Sequence, residues 1–340
     1  MKVATIRTTV VGSYPVPTWL RVFSTRESLR DAMLAVIKTQ ELAGIDVVAD
    51  GELYRWDINH AETNGMIDYF LRPLDGFAQD LTLEQLHRWR STPGHQFRSV
   101  PPGIIVGPIT SGRLNLERDY QLFRDLTDRP RKFTVTSPYM LAKTVGDEHY
   151  RDLEQLVLAL ADVLREQVRG IDAHVIQVDE ANVTGHPDDS RIAAQGINRV
   201  LEGVRHEKGV HLCYGNYGGQ TIQRGTYQAL VEFLNLLQCD HVILEMARRS
   251  PDELDYLKGV RQEIALGIGV IDIKDNEVES PETVARRIER AAKVLGVERV
   301  RYVHPDCGFW MLPRSAADAK MVSLVKGRDL FEGQRNRSLE

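Results

Sequence analysis

Hydrophobic positions along this chain alternate between two periods. Short runs rich in Val, Ile and Thr have the length and composition of strands: Val3 to Val11, Ile45 to Glu52, Lys132 to Thr136, His174 to Asp179, Gly209 to Cys213, His241 to Glu245, Ile264 to Asp272 and Val300 to Val303. Between them the pattern changes to helical spacing, as in Leu29, Met33, Ile37 and Leu42, or along Asp152 to Arg169. Further helices are predicted over Ser190 to Glu207, Tyr227 to Leu237, and onward from Ser250, Ser280 and Ala316. Boundary residues support these assignments. Ser24-Thr25-Arg26-Glu27 has capping-box spacing, and Gly44 is placed to stop the helix that follows. Ser250-Pro251-Asp252-Glu253 and Ser280-Pro281-Glu282 each put Ser at the N-cap and Pro at the first helical position.

Eight strands alternating with helices predict an α/β fold, the (β/α)8 TIM barrel, with functional residues at the strand C-termini. The competing doubly wound sheet would need a Gly-rich phosphate turn after the first strand, and Val11-Gly12-Ser13-Tyr14 is not one. Residues 53–103 break the rhythm. They are rich in aromatics (Trp56, Tyr69, Phe70, Phe77, Trp89, Phe97) and end at Pro101-Pro102, which predicts an insertion after the second strand covering the C-terminal face. A strand at Gly103 to Gly107 is assigned to that insertion. No linker or repeat divides the chain, so residues 1–340 are expected to form one domain.

Composition narrows the partners. Acids and bases are interleaved and the formal net charge is −5 over 340 residues, which argues against nucleic acid or an anionic membrane as the main partner. No apolar run approaches the roughly 18 residues needed to span a bilayer. The N-terminus lacks a signal-peptide core, and three cysteines give no disulfide framework, so a cytoplasmic location is expected.

The strand ends carry more polar groups than a core needs. In order they are Gly12-Ser13, Asp50 and Glu52, Gln177, Asp179 and Glu180, His211 and Cys213, Glu245, Asp272, and His304 to Gly308. On one strand His211 and Cys213 share a face, two residues apart. Alone they read equally as a hydrogen-bonded core imidazole and a small buried thiol. With Glu245 and Cys307 they form a zinc set of one nitrogen, two sulfurs and one oxygen, drawn from three strands, which suits a catalytic metal. Two thiolates and a carboxylate around Zn2+ leave a charge of −1, an electron-rich zinc suited to keeping a bound thiol as a nucleophilic thiolate. Cys239 lies before its strand, at the opposite end of the barrel, and is assigned no metal.

These segments together resemble the catalytic C-terminal barrel of the cobalamin-independent methionine synthase family. The matching pieces are Thr8-Thr9-Val10-Val11-Gly12-Ser13, Asp50-Gly51-Glu52, Gln177-Val178-Asp179-Glu180, His211-Leu212-Cys213-Tyr214 and Pro305-Asp306-Cys307-Gly308. The resemblance implies zinc on His211, Cys213, Glu245 and Cys307. It places L-homocysteine against Val11, Gly12 and Ser13, with Glu52 and Asp179 on its ammonium; capping or salt-bridging of loops is the competing reading for those two acids. Departures fall on the methyl-donor side. The pterin-stacking tryptophan of the family falls at Thr144, its Arg-Cys pair has no evident counterpart around Phe97-Arg98-Ser99, and its proton-donating histidine is replaced by Lys274, next to Asp272. Lys274 with Asp272 is therefore a candidate proton-donating or orienting pair, against the alternative of a solvated loop residue.

The expected activity is methyl transfer to L-homocysteine giving L-methionine, with the donor left open among a methyl-corrinoid protein, methyltetrahydrofolate and other methylated compounds. Two alternatives stand beside it: alkyl transfer to another thiol, as in the coenzyme M-type transferases, and a non-catalytic zinc- or thiol-binding partner of another methyltransferase.

Overall fold

The computed structural model describes residues 6–56, 64–91, 101–215, 221 and 223–338. Eight strands form one parallel sheet: β1 (Arg7–Thr8), β2 (Val48–Ala49), β3 (Arg131–Thr136), β4 (Val175–Glu180), β5 (Glu207–Leu212), β6 (His241–Leu244), β7 (Ala265–Ile271) and β8 (Val300–Pro305). Neighbours follow chain order from β2 to β8, and β8 pairs with β1. A parallel bridge between Thr9 and Val47 joins β1 to β2 and closes the ring. This is the expected (β/α)8 barrel.

The two strands at the closure are shorter than their hydrophobic runs suggest, and Val3 lies outside the described residues. Side chains supply bonds that the short ladders lack. Gln40, on the helix Arg26–Ala43, takes both the N–H and the C=O of Ala49, at 2.9 and 2.7 Å. Asp46 accepts from the Thr8 N–H and hydroxyl, at 2.7 and 3.0 Å. Arg328, on the last helix (Arg314–Ser338), donates to Asp46 and to the Ile6 carbonyl, both at 2.7 Å.

Several boundary expectations shift. Thr25, not Ser24, caps the first helix by accepting from the Ser28 N–H at 3.0 Å. The buried face of that helix runs through Ala32, Met33, Val36, Ile37 and Gln40, and Leu42 falls off it at 89% exposure. Gly44 ends the helix in the left-handed conformation with φ 90°, as a C-cap glycine does. Ser280 caps the helix Pro281–Leu295 as expected, accepting from the Thr283 N–H. Ser250 does not cap: its carbonyl, not its hydroxyl, takes the Glu253 N–H, and the short helix there is Glu253–Tyr256.

Between β2 and β3 the chain leaves the barrel. The strands Asp75–Ala78 and Ile104–Thr110 pair antiparallel, and the second also pairs with Gly146–Asp147 in a separate three-stranded sheet. The strand predicted at Gly103 to Gly107 thus belongs to this second sheet. Thr136, at the C-terminal end of β3, donates to the Met66 carbonyl at 2.7 Å and ties the excursion to the barrel mouth.

The main core lies between sheet and helices, while Val47, Val175 and Tyr302 form a small separate cluster inside the barrel. The rest of the lumen is unusually polar for a barrel, whose layers are ordinarily branched aliphatics. Lys132, Gln177, Asp179, His211, His241 and His304 are all buried. Glycines make room for them. A Cβ at Gly209 would come within 2.8 Å of the His241 ring, and one at Gly267 within 3.1 Å of His304.

Candidate active site

His211, Cys213 and Cys307 meet at the C-terminal end of β5 and just past β8. Their ligating atoms all lie within 4.8 Å of one another, and the two Sγ atoms are 3.9 Å apart. Two thiolates on one tetrahedral zinc, each about 2.3 Å from it, stand about 3.8 Å apart. The His211 Nδ1 is 3.1 Å from the Ile243 carbonyl, so that nitrogen carries the proton and Nε2 keeps its lone pair. Nε2 is buried without a hydrogen-bond partner. Burial holds the imidazole neutral, its pKa pushed down to about 3. The contact with Cys307, followed by burial, pushes the Cys213 thiol well up. A divalent cation reverses that balance, because it deprotonates a coordinating thiol outright. An unpartnered imidazole nitrogen and two thiols at thiolate-pair spacing fit a zinc ion.

Glu245 is arranged differently. Its Oε2 accepts from the Tyr214 N–H at 3.0 Å, and its Oε1 lies 2.9 Å from the Lys274 Nζ. Among the described residues the group able to hold a metal consists of His211, Cys213 and Cys307, without Glu245. Lys274 is no solvated loop residue: its side chain is 3% exposed, and it also donates to the Thr221 hydroxyl at 3.0 Å. Asp272 accepts from the Lys274 N–H at 2.8 Å and pairs with Arg248 at 3.0 Å, which fixes the turn carrying the lysine.

Sequence reasoning gave Asp306 no role of its own. Its carboxylate accepts from three successive N–H groups, Met246, Ala247 and Arg248, at 2.8, 2.7 and 3.2 Å. It therefore links the loop after Glu245 to the chain one residue before Cys307.

The opposite side of the mouth is rich in acids. Glu52 follows β2 on a turn in which both Gly51 (φ 77°) and Glu52 (φ 58°) are left-handed. For glutamate this conformation is strained, and it aims the carboxylate inward. A Cβ at Gly12 would fall 2.1 Å from the Glu52 Oε1, so only glycine fits there. Glu52 is already paired: Oε1 accepts from the Thr134 hydroxyl at 2.6 Å, and Oε2 lies 3.1 Å from the buried Arg55. Arg55 also bonds Thr134 and rests against Tyr54, Tyr69 and Phe70.

Asp179 accepts from Gln177 at 2.6 Å, and Gln177 in turn donates to the Val11 carbonyl at 3.0 Å. Lys132 donates to the Val10 carbonyl. Burial, with Glu52 adding to it, pushes the Asp179 carboxyl up, while burial pulls the Lys132 ammonium down. Burial also raises Asp50 to about 7. Three buried acids (Asp50, Glu52, Asp179) thus share this side with two basic residues (Arg55, Lys132). Arg55 and Lys132 were missed from sequence. The available signals were an arginine three residues past Glu52 and a lysine at the head of the run Lys132 to Thr136.

Ser13 joins the two sides. Its carbonyl accepts from the Phe309 N–H at 2.8 Å, and a Cβ on Gly308 would fall 1.9 Å from its hydroxyl. Cys239, half-buried before β6, lies outside the metal-ligating group, its thiol pushed up to about 12 by burial. Thr144 is buried and its hydroxyl donates to the Leu141 carbonyl at 2.8 Å; Phe97-Arg98-Ser99 lie outside the described residues.

Residues 6–327 match the family model described as the catalytic domain of the cobalamin-independent synthase. The chain belongs to the cobalamin-independent methionine synthase family. Members of this family are methyltransferases, and this enzyme is one by that membership. The chain is 31% identical to a methionine synthase of Thermococcus kodakarensis over 345 residues, covering 97% of this chain and 94% of that protein. With a methionine synthase of Pyrococcus horikoshii it shares 27% over 352 residues, covering 99% and 96%. Its fold is similar to that of a B12-independent methionine synthase from Shewanella sp. W3-18-1 solved in complex with selenomethionine. The TM-score is 0.81 at 23% identity, covering 98% of this chain and all of the other. Among the described residues, no helix of this methionine synthase-family enzyme is long and apolar enough to cross a membrane.

Proposed function

We propose that this enzyme transfers a methyl group to the thiol of L-homocysteine, giving L-methionine, with Zn2+ held by His211, Cys213 and Cys307. The observation that carries the reading is one mouth bearing both a soft N/S ligand group and, across Ser13, a pocket with more carboxylates than cations. A bound zinc supplies a Lewis acid that keeps the substrate sulfur as thiolate at neutral pH. Glu52 and Asp179 receive the ammonium of the amino acid, a cation suited to a pocket richer in acids than in bases. Val11, Gly12 and Ser13 line the side where its carboxylate rests, with the Ser13 hydroxyl as donor. The excursion between β2 and β3 covers the mouth and limits water, which would otherwise solvate the thiolate.

An acid-rich clamp favours an amino-acid thiol over the simple thiols of the coenzyme M-type transferases. The donor is a separate question. Thr144, turned into its own helix end, offers no stacking face, so the donor is taken to be a methyl-corrinoid protein, a folate bound differently, or another methylated compound.

Complementation of a methionine auxotroph tests the reading. Growth is expected with the parent chain and not with Cys307→Ser, and methionine formation by purified protein is then assayed with each donor class in turn. Growth with both chains would overturn the zinc reading, and no methionine from any donor, cell extract included, would overturn the substrate.

A further inference from the structure

Tyr14 belongs to the motif Gly12-Ser13-Tyr14-Pro15, yet neither the zinc group nor the acid pocket uses its side chain. The chain there has left the barrel ladder, which on this side ends at the Thr9–Val47 bridge. Beyond the bridge, Lys132 donates to the Val10 carbonyl, Gln177 to that of Val11 and the Phe309 N–H to that of Ser13. Tyr14 adds two contacts of different reach. Its N–H donates to the Gly51 carbonyl at 3.0 Å, in the left-handed turn that aims Glu52 inward. Its side chain is buried, and its hydroxyl donates to Asp318 on the last helix, 304 residues away. Asp318 lies 3.7 Å from Arg314, one helical turn earlier. Packing between the two loops is close: a Cβ at Gly51 would come within 3.1 Å of the Tyr14 Cβ and 3.0 Å of Val36.

A phenylalanine ring would fill the same space in the core. The hydroxyl is an addition that packing does not need, and a buried hydroxyl is costly without a partner. Its partner is a carboxylate, which makes the bond stronger than one between neutral groups. One residue thus fixes three segments against each other: the loop of Ser13, the loop of Glu52 and the start of the last helix.

We propose that Tyr14 is a positioning residue for substrate choice: by tying the Ser13 and Glu52 loops to each other and to Asp318, it sets the width of the amino-acid pocket and so favours an amino-acid thiol over a simple one. This rests on the amino-acid reading of the pocket given above. The zinc-ligating residues lie outside the tie, so the preference can be lost while the metal group stays intact.

The test is calorimetry on the zinc-loaded full chain with two probes, L-homocysteine and 2-mercaptoethanol, which has a thiol but neither ammonium nor carboxylate. Tyr14→Phe should bind homocysteine about tenfold more weakly than the parent and 2-mercaptoethanol within about threefold, with zinc content and melting temperature close to the parent values. Asp318→Ala should reproduce this loss, the double variant should be no weaker than either single one, and Asp318→Asn, whose amide oxygen still accepts, should restore binding. Native-state hydrogen exchange reads the tie without any ligand: the amide at position 14 should exchange about tenfold faster in Tyr14→Phe, while that of Tyr214 stays unchanged. Homocysteine affinity within threefold of the parent in both single variants would overturn the proposal, as would equal weakening of the two thiols. If Tyr14→Phe does not fold, Asp318→Ala, at the more exposed end of the bond, carries the same comparison. A parent chain that binds the two thiols alike would overturn the amino-acid reading and this preference with it, whereas unchanged exchange at position 14 would overturn the positioning role alone.

Discussion

His211, Cys213 and Cys307 sit on ordinary strand ends, whereas Glu52 sits on a turn whose backbone is left-handed. On the first side, parallel register does the positioning: His211 is opposite Asp179 on one neighbour and Ile243 on the other, and no residue there is strained. On the second side, a strained glutamate is kept in place by Arg55 and Thr134 and by the space left at Gly12. The soft ligands are cheap to place because they are neutral in the metal-free protein. Bringing several carboxylates together out of water requires counter-charges and a conformation that costs about 1–3 kcal/mol. The metal side should therefore fail chemically when altered, and the acid side should fail first in folding.

The largest effect is expected from Cys213→Ser. Its zinc content after dialysis, measured by metal analysis, should fall far below one per chain, a loss exceeding the roughly 10–100-fold caused by losing an outer-shell partner. Its melting temperature without metal should stay close to the parent value. Retained zinc in this variant would break the comparison on the metal side.

Arg55→Met should do the reverse. It leaves Glu52 buried and unpaired, at a cost of about 3–5 kcal/mol in chemical denaturation, while zinc content per folded chain is unchanged. A smaller loss in Arg55→Met/Glu52→Gln than in Arg55→Met alone would assign the cost to the stranded charge.

Asp50 gives a pH signature. Burial raises its folded pKa to about 7, above the 3.8 ordinary for an aspartate, so the folded state binds the extra proton between those values. For a raised carboxyl the sign is that stability contributed by Asp50 is full at low pH and falls as pH rises from about 4 to about 7. Asp50→Asn should therefore be more stable than the parent by a few kcal/mol at pH 8 and show no gain near pH 4. Thermal melts across that range check it, and an equal gain at both ends would remove titration as the cause.

Cys239→Ala is the smallest. It should leave zinc content and homocysteine binding unchanged and cost about 1 kcal/mol or less, and lost zinc here would mean that the two ends of the barrel are not separate.

The contrast between the two sides also governs what was legible in the sequence. Strand ends two residues apart on one face bring His211 and Cys213 together by geometry alone, and alternating periods indicate the barrel that brings Cys307 to them. The partners of the acids are not periodic. Arg55 reaches Glu52 through the single 3-10 turn Leu53–Arg55 that follows the left-handed Gly51-Glu52, and Lys274 reaches Glu245 across 29 residues through a side chain whose length hides its destination. Smaller misses share that character. Ser24 and Thr25 are both good caps, and the phase of the buried helix face decides between them. Leu42 fits a loose count of apolar residues but lies beyond the stripe set by Met33, Ile37 and Gln40.

The bond between Arg328 and Asp46 has a mechanical consequence. The ring of strands is narrowest in backbone pairing where β1 meets β2, and there a side chain from the final helix fastens the joint. Gly12 and Ser13 follow one of those strands, and Glu52 follows the other. The C-terminal helix therefore acts as a latch on the seam that carries the proposed amino-acid pocket. Fraying of that helix would loosen the proposed amino-acid pocket, while β5, which leads to His211 and Cys213 and is paired along several residues on both sides, would keep its place.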